Sequence, residues 1–190
     1  MIFNKHPDLS GKHAFLSPSN NHWLNYDDEK LESRFYNSMA AAHGSRLHAF
    51  AAEAISLRHR MARNNQTLNR YINDAISFDM IPEQILFYSE NAFGTADAIR
   101  FWEDTRTLRI HDLKTGATKV TFVQLEVYAA LFCLEYKVKP GTVNFILRLY
   151  QNDEVFEHIP ETEQIVWIMD RIVTSDKLIK SIRDEFQPLS

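Results

Sequence analysis

The pattern of hydrophobic and polar positions predicts that the first part of the chain is helical. Hydrophobic residues recur at three- and four-residue steps from about 29 to 61, which is the spacing of one helical face, and a second helix is predicted over 66–77. Gly44 is expected to mark a break or a close packing contact within the first helix. Before it, Ser19 is the predicted N-cap of a short helix that includes Trp23.

The period changes in the second part of the chain, where strands and helices alternate. The predicted elements are, in order, strands at 83–89, 95–103 and 107–114, a helix at 121–137, strands at 143–149 and 154–159, and a helix at 161–186. Turn residues at Asn152–Asp153 predict a hairpin between the last two strands. A three-strand meander followed by a crossover helix predicts an α/β (α+β mixed sheet) fold. Its αβββαβ core would carry extra N-terminal helices and a C-terminal helix.

Composition narrows the class of protein. The chain has 190 residues, of which 45% are hydrophobic and 24% charged, so it is long and apolar enough for one globular domain. The predicted divisions of this domain are an N-terminal extension at 1–43, the core at 44–150, and a hairpin strand with the C-terminal helix at 151–190. Neither a membrane-spanning run nor a signal peptide is apparent, so a cytoplasmic location is expected.

Cysteine content and charge exclude further classes. The single cysteine, Cys133, excludes a disulfide scaffold and an iron–sulfur cluster held by cysteines. The formal net charge of -4 argues against a polybasic binder, and the last part of the chain is strongly acidic. The first part nevertheless contains a local series of arginines that could meet a polyanion: Arg46, Arg58, Arg60, Arg63 and Arg70.

The strongest chemical signal is the segment from Asp112 to Gly116, which reads Asp-Leu-Lys-Thr-Gly. Strand side chains alternate, so Asp112 and Lys114 should point to the same side of the sheet. The carboxylate can bind a hard divalent cation, and the ammonium can orient a water molecule or neutralise a phosphate. The alternative is an ordinary surface ion pair.

Three further signals lie on neighbouring elements. Asp97 follows Gly94 on a strand face that it should share with Ile99, where an unpaired carboxylate is costly. His48 lies at the margin of a helical core face, and it could equally be a structural histidine. A third signal is a pair at i,i+4 spacing on the crossover helix, which could also be an ordinary polar stripe: Gln124 and Tyr128.

Taken together, these signals form an ordered set. The order is Gly44 with His48, Glu83, Gly94 to Asp97, Asp112 to Gly116, and Gln124 with Tyr128. This order and spacing resemble the PD-(D/E)XK nuclease superfamily, specifically its RecB-like exonuclease branch. The opening Leu16-Ser17-Pro18-Ser19, followed by Trp23-Leu24, is similar to the start of many viral and bacterial members.

The resemblance implies a restriction-endonuclease-like fold and a metal-dependent DNA exonuclease or DNA-end-processing nuclease. By the same resemblance, one or two Mg²⁺ or Mn²⁺ ions would be held by His48, Asp97, Asp112 and the backbone carbonyl of Leu113. Lys114 would position or activate the attacking water. Further site residues implied by the family pattern are Gln124, which would support Lys114 or the phosphate, Tyr128, which would line the site, and Glu83 as an additional acid.

The resemblance also implies partners. The first is DNA, single- or double-stranded, bound at its ends, and the second is a recombination, repair or replication protein. If the protein is viral, for example from a phage, the expected location is the host cytoplasm. No ATP is expected, because no Gly-rich phosphate loop with a lysine is present. The alternative is a catalytically quiet nuclease fold that binds DNA ends or a replication, recombination or defence partner. The oligomeric state is left open.

Overall fold

We describe the fold from a computed structural model that covers residues 5, 7–9, 11, 13–116 and 121–186. The helices are α1 (Asp28–Ser56), α2 (Thr67–Ser77), α3 (Val123–Glu135) and α4 (Thr162–Phe186), with 3-10 turns at Pro7–Leu9, Asn21–Asn25 and Pro140–Thr142. The strands are β1 (Ile81–Ser89), β2 (Ala92–Trp102), β3 (Thr107–Leu113), β4 (Asn144–Gln151) and β5 (Glu154–His158). None of the described helices is long and apolar enough to cross a membrane.

The five strands form one mixed sheet in the order β1-β2-β3-β4-β5. The pairs β1–β2, β2–β3 and β4–β5 are antiparallel, whereas β3 and β4 are parallel because α3 crosses between them. Asn152 and Asp153 both have positive φ, as the tight turn of a β-hairpin requires. The mixed-sheet α/β class predicted above, with additional helices at both ends, is therefore confirmed.

The chain forms two compact units, residues 1–45 and 46–190, and the boundary falls within α1. In the first unit the indole nitrogen of Trp23 donates to the carbonyl of Ser17 at 3.2 Å. Phe15 and Phe35 meet edge to face, with 5.2 Å between their ring centroids. The predicted divisions at 43 and 150 stay predictions.

In the second unit the sheet carries an apolar cluster on each face, which accords with the prediction of helices on both sides. The first cluster joins α3 and α4 to the sheet through buried residues that include Leu125, Ala129 and Ile165. The second joins the end of α1 and α2 to the sheet through residues that include Ala51 and Ile72. Most of the buried apolar surface of this unit lies in these two layers.

Two details of the helical predictions are wrong, and for Gly44 the structure favours one of the two predicted alternatives. Helix α1 ends at Ser56 rather than 61, because Arg58 adopts a positive φ and the amide of His59 bonds back to the carbonyl of Ala54. At Gly44 the helix continues without a break, because one glycine costs a helix only about 1 kcal/mol. Gly44 is buried, which fits the predicted alternative of a close packing contact. The other wrong detail is Ser19, where the sequence pattern misplaces the helix start by one residue.

The N-cap position of that short turn is Asn20, and no side chain caps it. The Ser19 hydroxyl instead lies 2.8 Å from the hydroxyl of Ser17. The amide of Asn20 bonds to the carbonyl of Ser17, so a turn precedes the helix and delays its start.

Helix α4 is fastened to the β1–β2 turn by one buried carboxylate. Asp176 accepts hydrogen bonds from the Ser89 hydroxyl at 2.6 Å and the Asn91 amide at 2.9 Å, and it pairs with Lys180 at 2.7 Å. These donors, Lys180 foremost, lower the pKa of Asp176 to about 2. The ionised carboxylate therefore stabilises the folded state.

We predict that Asp176→Asn lowers the thermal unfolding midpoint by a few degrees at neutral pH. Because the folded pKa is lowered, the contribution of Asp176 is complete above its unfolded value of about 3.9 and is lost as the pH falls toward 2. The difference between wild type and variant should thus shrink below about pH 4. Calorimetric melting at several pH values checks this. Asp184→Asn, which alters an exposed acid of the same helix, should leave the midpoint unchanged.

Candidate metal centre

Two carboxylates oppose one another across β1 and β2. Glu83 and Asp97 lie between paired residues of the ladder, and the flanking pairs are Pro82 with Ala98 and Gln84 with Ala96. Like charges directly opposite on neighbouring strands repel, so this position is unfavourable without a compensating cation or proton. The compensation must come from other elements.

Side-chain alternation is interrupted at this point in both strands. Glu83 has a φ of 50°, in the left-handed region that residues other than glycine rarely adopt. On β2, Ala96 and Ile99 pack into the same cluster although they are three positions apart, an odd spacing that strict alternation would place on opposite faces. The simple alternation that placed Asp97 on the face of Ile99 therefore does not hold through Asp97. Strain of this kind is kept only where the surrounding structure holds it.

Helix α1 brings a histidine to the two acids. His48 is half-buried, with Nδ1 at 3.3 Å from Oδ2 of Asp97. One ligand atom from each of His48, Glu83 and Asp97 lies within 4.8 Å of the others. The hydrogen bond to Asp97 raises the pKa of His48, whereas burial, followed by the charge of Asp97, raises the pKa of Glu83. The group has the composition of a divalent-cation site.

The end of β3 provides the next acid. Asp112 is only 2% exposed, and its pKa is raised by burial and by the charge of Asp97. Its Oδ2 lies 2.9 Å from Nζ of Lys114, but no donor is aligned for a hydrogen bond to that atom. The neighbouring amide of Leu113 donates to Oδ2 of Asp97 at 2.9 Å. Asp112 is therefore close to the acid pair, and its carboxylate is paired with the Lys114 ammonium.

A chain of polar contacts continues from β3 onto α3. Nζ of Lys114 donates to Oε1 of Gln124 at 2.7 Å, and Nε2 of Gln124 donates to the Tyr128 hydroxyl at 3.2 Å. The Tyr128 ring passes so close to β2 that a Cβ at Gly94 would lie 3.0 Å from it. Gly94 is thus required by the approach of this ring rather than by a turn.

The structure brings all the predicted side chains to one region, but it groups them differently from the predicted ligand set. His48 and Asp97 converge with Glu83, whereas Asp112 is ion-paired with Lys114. Leu113 faces Asp97 with its amide, and the role predicted for its carbonyl stays a prediction. The ligand roles of these residues likewise stay predictions.

Sequence reasoning missed one residue of the region. Tyr71 of α2 is 1% exposed, and its pKa is raised well above the usual value, by burial first and then by the charges of Asp97, Asp112 and Glu83. It also stacks edge to face on Tyr150. On the apolar face of a helix, a tyrosine near three carboxylates has the same pattern as a core aromatic, so no sequence signal could have found it.

Comparison of the chain with known protein families, curated proteins and solved structures found no match.

We predict that Gly94→Ala displaces the Tyr128 ring, because the added methyl would meet Cε1 at 3.0 Å. The thermal midpoint should fall, and the fall should be smaller when the variant is made in a Tyr128→Ala background. This double-mutant cycle isolates the contact between the two residues. Gly116→Ala is the matched control, since its Cβ would meet nothing within 4 Å. Equal losses in both backgrounds would contradict the prediction.

Proposed function

We propose that the protein is a divalent-metal-dependent deoxyribonuclease that hydrolyses phosphodiester bonds, as an exonuclease or DNA-end-processing enzyme. One observation carries the proposal: His48, Glu83 and Asp97 from three separate elements converge within 4.8 Å beside buried Asp112, which is paired with half-buried Lys114. These residues are far apart in the sequence, yet they place three possible metal ligands beside a lysine. Such a combination is suited to a hydrolytic site.

The residues present fit Mg²⁺ or Mn²⁺. The donor set of two carboxylates and an imidazole suits such ions, and buried Asp112 is a further carboxylate beside it. His48, Glu83 and Asp97 would hold a first ion, with Asp112 and the carbonyl of Leu113 as additional ligands. When bound, one or two ions would polarise a phosphate and lower the pKa of a bound water.

The remaining side chains of the site have distinct tasks. Lys114 is held between Asp112 and Gln124, so its ammonium is oriented beside the acids, where it can position a water or neutralise a phosphate oxygen. Gln124 donates to the Tyr128 oxygen, which leaves the tyrosine proton free to bond to a phosphate. The polar chain thus lines one side of the site with donors.

The sequence order supports the same proposal, because it resembles that of RecB-like nucleases. We extend it to the partners that the resemblance implies, which are DNA ends, single- or double-stranded, and a recombination, repair or replication protein. Neither ATP nor an iron–sulfur cluster has a role in the proposed reaction.

We predict metal-dependent cleavage of DNA. Linear and circular substrates, single- and double-stranded, are incubated with Mg²⁺, Mn²⁺ or EDTA, and the products are resolved on gels. Lys114→Ala should lower the cleavage rate by about 10²-fold or more, because it removes the group that orients the water. Lys177→Ala, which alters an exposed lysine on α4, should cleave normally. Cleavage in EDTA, or full activity of Lys114→Ala, would overturn the proposal.

A second candidate function is a catalytically quiet nuclease fold that binds DNA ends or a replication, recombination or defence protein. It is favoured by large apolar side chains on the β1–β2 hairpin, where Ile85 is 56% and Phe93 62% exposed. Calorimetric titration with Mn²⁺ separates the two. Under the nuclease proposal, wild type binds the ion and Asp97→Asn loses binding. Absence of Mn²⁺ binding by a folded wild type that still binds DNA would favour the quiet fold.

A further inference from the structure

Three arginines of the first part of the chain converge on one cavity, away from the acid cluster. The cavity has a volume of about 520 Å³ and lies between the loop that follows α1 and the polar side of α2. We call it the arginine cavity. Its lining includes Arg60, Arg63, Asn64, Arg70, Asn73 and Asp74.

The loop that forms the arginine cavity is held in place by asparagine side chains. The Asn73 side chain accepts from the amide of Met61 at 2.9 Å and donates to its carbonyl at 3.1 Å. Oδ1 of Asn64 accepts from the amide of Gln66 and from the side chain of Asn69. The cavity is therefore preformed, so a ligand would not have to pay for ordering the loop.

Most of the arginine donors are unused. Arg60 gives one hydrogen bond to the Ser77 hydroxyl, and Arg70 gives one to the carbonyl of Asp153. Arg63 is exposed and makes neither a hydrogen bond nor an ion pair with any residue that the structure describes. Each guanidinium carries five N–H donors, so several remain to bind an anion.

The one acid in the cavity wall is already compensated. Oδ2 of Asp74 accepts from the Tyr150 hydroxyl at 2.8 Å and pairs with Arg148 at 3.4 Å. By contrast, Arg58 of the same arginine series pairs with Asp79 and does not line the cavity. The cavity therefore presents net positive charge from three of the five arginines.

We propose that the arginine cavity binds a backbone phosphate of the nucleic-acid strand whose cleavage is proposed above, and the inference rests on that proposed function. A guanidinium group binds phosphate through two parallel N–H···O hydrogen bonds. The side-chain amides of the lining asparagines add neutral donors. The cavity is a binding site only, and no bond is broken there.

The position of the cavity agrees with such a role. Helix α1 carries His48 and ends at Ser56, a rise of roughly 12 Å, before the loop that forms the cavity begins. Helix α2 likewise presents buried Tyr71 near the acids and Arg70 to the cavity. The same two helices therefore connect the acid region to the cavity.

The test measures binding without cleavage. Fluorescein-labelled DNA, as a duplex and as a single strand, is titrated in EDTA with wild type and with the double variant Arg63→Gln/Arg70→Gln, over a series of KCl concentrations. We expect roughly tenfold weaker binding at low salt, and a slope of log K against log salt that is shallower by about one. The matched control is Arg58→Gln, two residues from Arg60, because Asp79 keeps Arg100 as a partner. It should bind DNA as wild type does.

Each outcome decides the inference separately from the nuclease proposal. If wild type cleaves DNA but the double variant keeps its affinity and salt slope, the cavity inference is wrong and the nuclease proposal stands. If no cleavage is found, but the double variant binds DNA more weakly and with a shallower salt slope than Arg58→Gln, the nuclease proposal is wrong and the cavity inference stands. Equal losses in the variant and the control, or no DNA binding by wild type, overturn the inference. Should the double variant fail to fold by circular dichroism, exposed Arg63→Gln alone is compared in its place.

Discussion

The arrangement of the site depends on the repulsion among three carboxylates held close together. Glu83 and Asp97 oppose one another across two strands, and the charge of Asp97 also raises the pKa of buried Asp112. Such a cluster is tolerated because polar partners reach it: His48 from α1, whose pKa the bond to Asp97 raises, and the ammonium of Lys114 from the end of β3. The same unfavourable charge makes the cluster suited to a divalent cation, which would neutralise it more completely than either side chain.

The rest of the second unit holds this cluster in place. Apolar layers on both faces of the sheet fix α2 on one side and α3 on the other, so the polar groups between them cannot relax apart. The parallel pairing of β3 and β4 requires α3 as a crossover, and this crossover is what carries Gln124 to Lys114. Gly94 then permits the ring of Tyr128 to approach β2. The scaffold thus fixes the orientation of Lys114, Gln124 and Tyr128, whereas the side chains of a surface ion pair would stay mobile.

The positions of strands and helices could be predicted from the sequence, but the ends of the helices could not be predicted as well. Alternation and helical spacing located the strands and helices of the mixed sheet, because those periods follow from the backbone geometry that each element shares. Helix ends were less well predicted, since the end of α1 depends on a left-handed residue at Arg58 and the start near Ser19 on a turn that the Asn20 amide closes onto the Ser17 carbonyl. Such contacts are decided by neighbours within a turn, which hydrophobic periodicity does not encode.

The order of the elements, and the polar residues that they carry from His48 to Tyr128, can be read from the amino-acid sequence. Which of these residues meet depends on the packing of the elements. Glu83 joins His48 because alternation is interrupted at β1 and β2, while Asp112 turns to Lys114. The tertiary structure also brings three of the five arginines to one cavity, whereas Arg58 pairs with Asp79. The physical reason is that periodicity sets the direction of a side chain within its own element, whereas its partners depend on strand register and helix packing.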